Sequence, residues 1–103
     1  MAQRMLAGQV VEVNDAGYFT DSSQWTEDMA VEMAREAGID LTPRHLDVLY
    51  FLRNRYASDT PLTIRRVGQS GLVSIKAFYS LFPGGPLKVS SKIAGIPKPA
   101  SCV

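Results

Sequence analysis

All six prolines of this 103-residue chain fall where a helix has to begin or end, which limits the fold to short elements. Thr42-Pro43 reads as an N-cap followed by the first helical residue, where the missing N–H of proline costs nothing. Leu46, Leu49, Tyr50, Phe51, Leu52 and Tyr56 then leave little polar circumference, so a helix running to about Ala57 is expected at the centre of the fold. Thr60-Pro61 repeats the start signal for a short helix carrying Ile64 and Val67, ended by Gly68 or Gly71. Ser74 can cap a helix from Ile75 to Leu81, which Phe82-Pro83-Gly84-Gly85-Pro86 closes, and a last amphipathic stretch runs from Leu87 to Ala94. Upstream, Asp21 to Thr26 offers several N-caps before the acidic Glu27-Asp28. Met29, Ala30, Met33, Ala34 and Ala37 share one face of the helix that follows, from about Glu27 to Ala37, with Gly38 as its stop. Gln9 to Val13 and Gly17 to Phe19, separated by Asn14-Asp15-Ala16, read as a small β-hairpin.

Beyond Gly95 lies the segment IPKPASCV, in which Pro97 and Pro99 forbid a regular helix and favour an extended course. At about 3.3 Å per residue it can reach roughly 25 Å. The expectation is a mainly α domain over residues 1–95, with a hairpin at one end and an extended, projecting arm over 96–103.

The length suits one hydrophobic core, and no apolar run approaches a membrane span or a secretory signal, so a cytoplasmic protein is expected. The net charge of +1 hides an asymmetry: Met1 to Asp59 holds ten acidic and five basic residues, whereas Thr60 to Val103 holds six basic residues and no Asp or Glu. Such a basic second half is suited to an acidic protein face, a nucleic acid or a bound anion, or to the acidic first half of the same fold. A helix-turn-helix nucleic-acid binder is one function that this charge and the short helices would serve.

One cysteine excludes an internal disulfide, and one histidine leaves no Cys/His zinc set; no pattern points to a metal or an organic cofactor. That cysteine, Cys102, is the penultimate residue. A lone Cys is more often buried and inert, but a chain end between Ala100-Ser101 and Val103 is hard to bury deeply. An exposed thiol is more plausibly used than tolerated; cations such as Lys98 would lower its pKa from about 8.5 toward the reactive thiolate, while the terminal carboxylate of Val103 works against it. His45, the only histidine, lies at a predicted helix start and suits packing or hydrogen bonding there better than general-base work on the thiol. A thiol without a fixed base suits a carrier. Gly84-Gly85 lacks the GxxxxGK[ST] spacing of a phosphate loop, and Ser90-Ser91 reads as a pair of solvent-exposed helix hydroxyls.

The ending LFPGGPLKVSSKIAGIPKPASCV resembles the signature of the DsrC/TusE/DsvC family of sulfur relay proteins. GYFTDSSQWTEDMA and LTPRHLDVLYFLRNRY resemble its earlier segments, so the likeness runs from about Val10 to Val103. It implies a small orthogonal helical bundle with an N-terminal two-stranded β-hairpin and a flexible C-terminal arm. It also implies that Cys102 carries sulfur as a persulfide, as a protein carrier rather than an independent catalyst. In the two-cysteine branch a second cysteine sits eleven positions before the penultimate one; here that position is Ser91, whose hydroxyl can form no disulfide. The single-cysteine pattern is similar to TusE, which implies a TusBCD/DsrEFH-like donor complex and an acceptor that is either a tRNA thiouridylase acting on the wobble uridine or a siroheme sulfite reductase. Arg65, Lys92 and Lys98 are the candidate partner- or persulfide-binding cations, with no membrane contact and no direct nucleic-acid contact implied.

Overall fold

A computed structural model describes residues 2–99. Two antiparallel strands, β1 (Ala2–Leu6) and β2 (Gln9–Val13), precede a 3-10 turn (Ser22–Gln24) and five helices. The helices are α1 (Glu27–Glu36), α2 (Pro43–Ala57), α3 (Ile64–Gln69), α4 (Ile75–Leu81) and α5 (Pro86–Ile93). This is the expected mainly α bundle with an N-terminal hairpin.

The hairpin itself is displaced by one element. β2 is the strand expected, but its partner is Ala2–Leu6, paired so that Met5 faces Val10 and Leu6 faces Gln9. Ala7 and Gly8 join the strands with φ of 50° and 78°, a two-residue turn with both central residues left-handed. Gly17–Phe19 forms only an isolated bridge, Phe19 to Val13. Asn14 explains why: its Oδ1 accepts from the N–H groups of Ala16 and Tyr18, closing a side-chain-bonded loop where a second strand would have started. Leu6, Val11 and Val13 turn inward onto the core. The hairpin is pinned to α1 by the Arg4–Glu36 ion pair and by the Ala7 N–H donating to Glu32, each at 2.6 Å.

Thr26, Thr42, Thr63 and Ser74 each accept a backbone N–H at the start of α1, α2, α3 and α4, so hydroxyl N-caps set four of the five helix starts. The start signal at Thr60-Pro61 is not used: Thr63 caps α3, and Thr60 to Leu62 lie outside it, in neither helix nor strand. At α2 the box is closed by His45 instead of the usual Glu. Its Nδ1 accepts from the Thr42 N–H at 3.1 Å, which leaves the ring proton on Nε2 to donate to the Leu81 carbonyl at 2.9 Å. Phe82 stands edge-on to the imidazole at 5.1 Å. The only histidine therefore ties the start of α2 to the end of α4. His45→Ala is expected to lower stability by about 2–4 kcal/mol, read as a drop in Tm of roughly 10–30 °C, with thiol reactivity unaltered.

The helix at the centre is α5, not α2. It packs on α1, α2 and α4, and it buries Leu87, Ser90, Ser91 and Ile93. Around it Met29, Met33, Leu49, Leu52, Phe78 and Phe82 complete the core, each fully buried side chain contributing about 1.5–3 kcal/mol of transfer free energy. α5 is amphipathic as expected, with Lys88 exposed opposite this buried face, but Ser90 and Ser91 are fully buried and not the solvent-exposed hydroxyls expected.

Candidate functional site

The chain leaves α5 through a closed set of hydrogen bonds. Gly95 takes φ 70°, its N–H donates to the Lys92 carbonyl, and the Ile96 N–H reaches back to Ser91, each at 3.2 Å. This is the Schellman arrangement, in which a left-handed residue lets two of the last carbonyls find donors. Two side chains from elsewhere take the next carbonyls. Trp25 Nε1 donates to Ile93 at 2.7 Å, and Arg53 Nη1 donates to Ala94 at 2.9 Å. Arg53 also donates through Nη2 to the Ser22 carbonyl at 3.0 Å and lies 4.4 Å over the Trp25 ring. Burial pulls the Arg53 guanidinium below its ordinary pKa, the mark of a cation that has given up water for these carbonyls. Ile96 is 1 % exposed, so the last anchored core side chain lies just past Gly95. From there Pro97 to Pro99 run without helix or strand.

Cys102, the expected carrier position, lies outside the described residues, three positions beyond Pro99. The three candidate cations do not converge. Lys92 lines a cavity of about 280 Å³ with Tyr18, Met33, Lys88 and Val89, its Nζ 5.2 Å from the Tyr18 ring centroid. Lys98 lines a separate groove with Pro97, Pro99 and Tyr56. Arg65 lines neither and is exposed on α3. None of the six basic residues after Asp59 makes an ion pair among the described residues, so the acidic first half does not neutralise them.

Ser91 is buried in α5, and its Oγ has no hydrogen-bond partner among the described residues. A hydroxyl in that state has lost its water and gained nothing. Ser91→Ala is expected to leave stability unchanged or raise it by about 1 kcal/mol in a denaturant titration.

Sequence reasoning found Gly95 as the end of the last helix but passed over Trp25 and Arg53, which together with it fix where the C-terminal segment starts. The available signal was their position inside GYFTDSSQWTEDMA and LTPRHLDVLYFLRNRY, two of the segments that carry the family resemblance.

The sequence model of the family described as DsrC like protein matches residues 5–103. The sulfurtransferase TusE of Escherichia coli (strain K12) is 38% identical over 104 residues, covering 93% of this chain and 95% of that one. The TusE homolog of Haemophilus influenzae is 38% identical with the same coverage. Among solved structures, Allochromatium vinosum DsrC superposes with a TM-score of 0.81 at 33% identity, covering 98% of this chain and 97% of that one. The oxidized gamma-subunit of the dissimilatory sulfite reductase (DsrC) from Archaeoglobus fulgidus gives 0.79 at 25% identity, covering 99% and 100%.

Proposed function

The chain belongs to the DsrC-like family, and from that membership we propose that it is a sulfur-relay protein carrying sulfur as a persulfide on Cys102. The observation that carries this reading is the position of the single cysteine: it is the second-to-last residue of the matched region, three residues past the proline segment that Gly95 and Ile96 anchor to the core. In the reaction, the Cys102 thiolate attacks the outer sulfur of a donor persulfide. The new bond makes Cys102–S–SH, the donor leaves as a thiolate, and an acceptor nucleophile later removes that outer sulfur while Cys102 leaves as a thiolate in turn.

No general base is needed on the carrier, because the thiolate is already the attacking form and the receiving site can be built by the partner. His45 could not serve, since both ring nitrogens hold the α2 and α4 ends. The donor is a TusBCD/DsrEFH-like complex, and the acceptor is a tRNA thiouridylase, in the cytoplasm. Ser91 favours this relay over a sulfite reductase cycle that needs a second thiol at that position. Mass spectrometry after incubation with a persulfide donor is expected to find about 32 Da added on the peptide holding Cys102. An adduct elsewhere, or none, overturns the carrier reading. Discharge of the loaded protein to a siroheme sulfite reductase, and not to a thiouridylase, would move it to the gamma-subunit role.

A further inference from the structure

A groove of about 250 Å³ opens between the α2–α3 connection and the proline segment, lined by Tyr56, Thr60, Pro61, Leu62, Thr63, Pro97, Lys98 and Pro99. Its walls are preformed. Thr60 N–H donates to the Arg55 carbonyl at 2.9 Å, Ser58 Oγ donates to the same carbonyl at 3.1 Å, and Ser58 and Thr60 hydroxyls meet at 3.0 Å. Asp59 completes this turn at φ 58°, a left-handed position that Asp tolerates through its short side chain. Three prolines hold fixed φ on either side. The surface is mostly apolar, with Tyr56 44 % exposed at its edge and Lys98 exposed at its rim.

Chain length ties this groove to the chemistry. Cys102 is three residues from Pro99, so its Cα can be no more than about 11 Å from that of Pro99, which lines the groove. A protein that closes around Cys102 is therefore within reach of the groove. From Thr60 onward the chain has six basic residues and no Asp or Glu, and Lys98 has no ion-pair partner among the described residues, so the covering surface meets positive charge beside an apolar slot.

We infer that this groove is the docking site for the sulfur-exchanging partner, and that it takes a leucine- or phenylalanine-sized side chain of that protein with a carboxylate beside it. The inference rests on the carrier reading above. Its energetic logic is that of an anchor: a preformed apolar slot loses little order on binding, and one buried side chain can hold the partner while the thiol exchanges.

Two sulfur sources separate this claim from the carrier claim. Cysteine persulfide needs no docking surface, whereas a persulfide-loaded TusBCD-type complex does. With the full-length chain, Tyr56→Ala and Leu62→Asp are expected to load from cysteine persulfide at the wild-type rate. From the protein donor their KM should rise about tenfold or more with kcat little changed, the loss of one anchor contact. Leu62→Met should restore the wild-type KM, and Met5→Ala, on a strand that lines no part of the groove, should leave it unchanged. Leu62 packs partly against the core, so if the aspartate variant does not fold, the exposed Tyr56→Ala decides. Wild-type KM in a folded groove variant overturns the docking site and leaves the carrier standing. Failure of the wild-type chain to load from cysteine persulfide overturns the carrier, and the docking site with it.

Discussion

Gly95→Ala is expected to lower the stability of this protein by about 3–5 kcal/mol, the largest loss from an alanine at any of the described glycines. Two separate costs add. Gly95 sits at φ 70°, where a side chain is strained whatever the space around it. A Cβ there would stand 2.3 Å from Trp25 Cδ1 and 2.6 Å from Cγ, closer than real Cβ contacts come. Trp25 cannot simply step aside, because its Nε1 is bonded to the Ile93 carbonyl at 2.7 Å and Arg53 covers its ring. Relief of the clash breaks one of those contacts and leaves a buried carbonyl without a donor. Against a total stability of about 5–15 kcal/mol for a domain of this size, the variant should melt roughly 15–35 °C lower. A Trp25→Phe background removes the Nε1 bond and part of the ring, so the effect of Gly95→Ala there should shrink; equal losses in both backgrounds would disprove the clash. By contrast, Gly38 also has a positive φ of 76°, but a Cβ there meets nothing within 4 Å, and Gly38→Ala should cost only the backbone strain.

This end of α5 also marks the limit of what the sequence discloses. Hydroxyl caps are local chemistry, so Thr42 and Ser74 announced α2 and α4 at their true starts, with Pro43 fixing the first residue of α2. The same local logic misled where two signals competed. Thr60-Pro61 carries a start signal as good as Thr42-Pro43, yet Thr63 three residues later reaches the Arg66 N–H and takes the cap, which frees Thr60 to wall the groove. The hairpin was assigned to the wrong pair because its turn uses Ala7 in a left-handed conformation that alanine rarely adopts, while Gly17 nearby advertised one openly. In α5 the two serines masked a buried face, since polarity stood in for exposure.

The proline segment after Gly95 was legible for a different reason: Pro97 to Pro99 run without helix or strand, as expected. Two prolines act through backbone restriction, which needs no tertiary contact to be read. The residues that anchor the segment act across 68 positions (Trp25 to Ile93) and 41 positions (Arg53 to Ala94). No periodicity or spacing rule links such distant pairs, and only the fold brings them to one helix end. Arg53 illustrates the loss most clearly. On sequence it is one of three arginine- or asparagine-bearing positions in FLRNR, and in the structure it alone is half-buried and bonded to two carbonyls of other elements.

Cys102→Ala is expected to reduce sulfur uptake from any persulfide donor to the background of a thiol-free protein, while the melting temperature moves by no more than about 2 °C. The absence of any other thiol makes the first half absolute: the chain has one cysteine, and no other side chain in it can form a persulfide. The second half follows from chain position: among the described residues the buried core set runs through Ile96, and Cys102 lies six residues further on. Arg53→Ala should give the opposite pattern. It leaves the Ala94 carbonyl without its side-chain donor, removes the second donor of the Ser22 carbonyl and uncovers Trp25, at a cost of about 2–4 kcal/mol, yet its folded fraction should still take up sulfur from cysteine persulfide at Cys102. Measured together by mass spectrometry and thermal melting, the two variants separate the atom that carries sulfur from the scaffold that presents it. Retained uptake in Cys102→Ala would remove the cysteine from the reaction. A large fall in its melting temperature would mean that the thiol is part of the packed core, where a donor protein could not reach it.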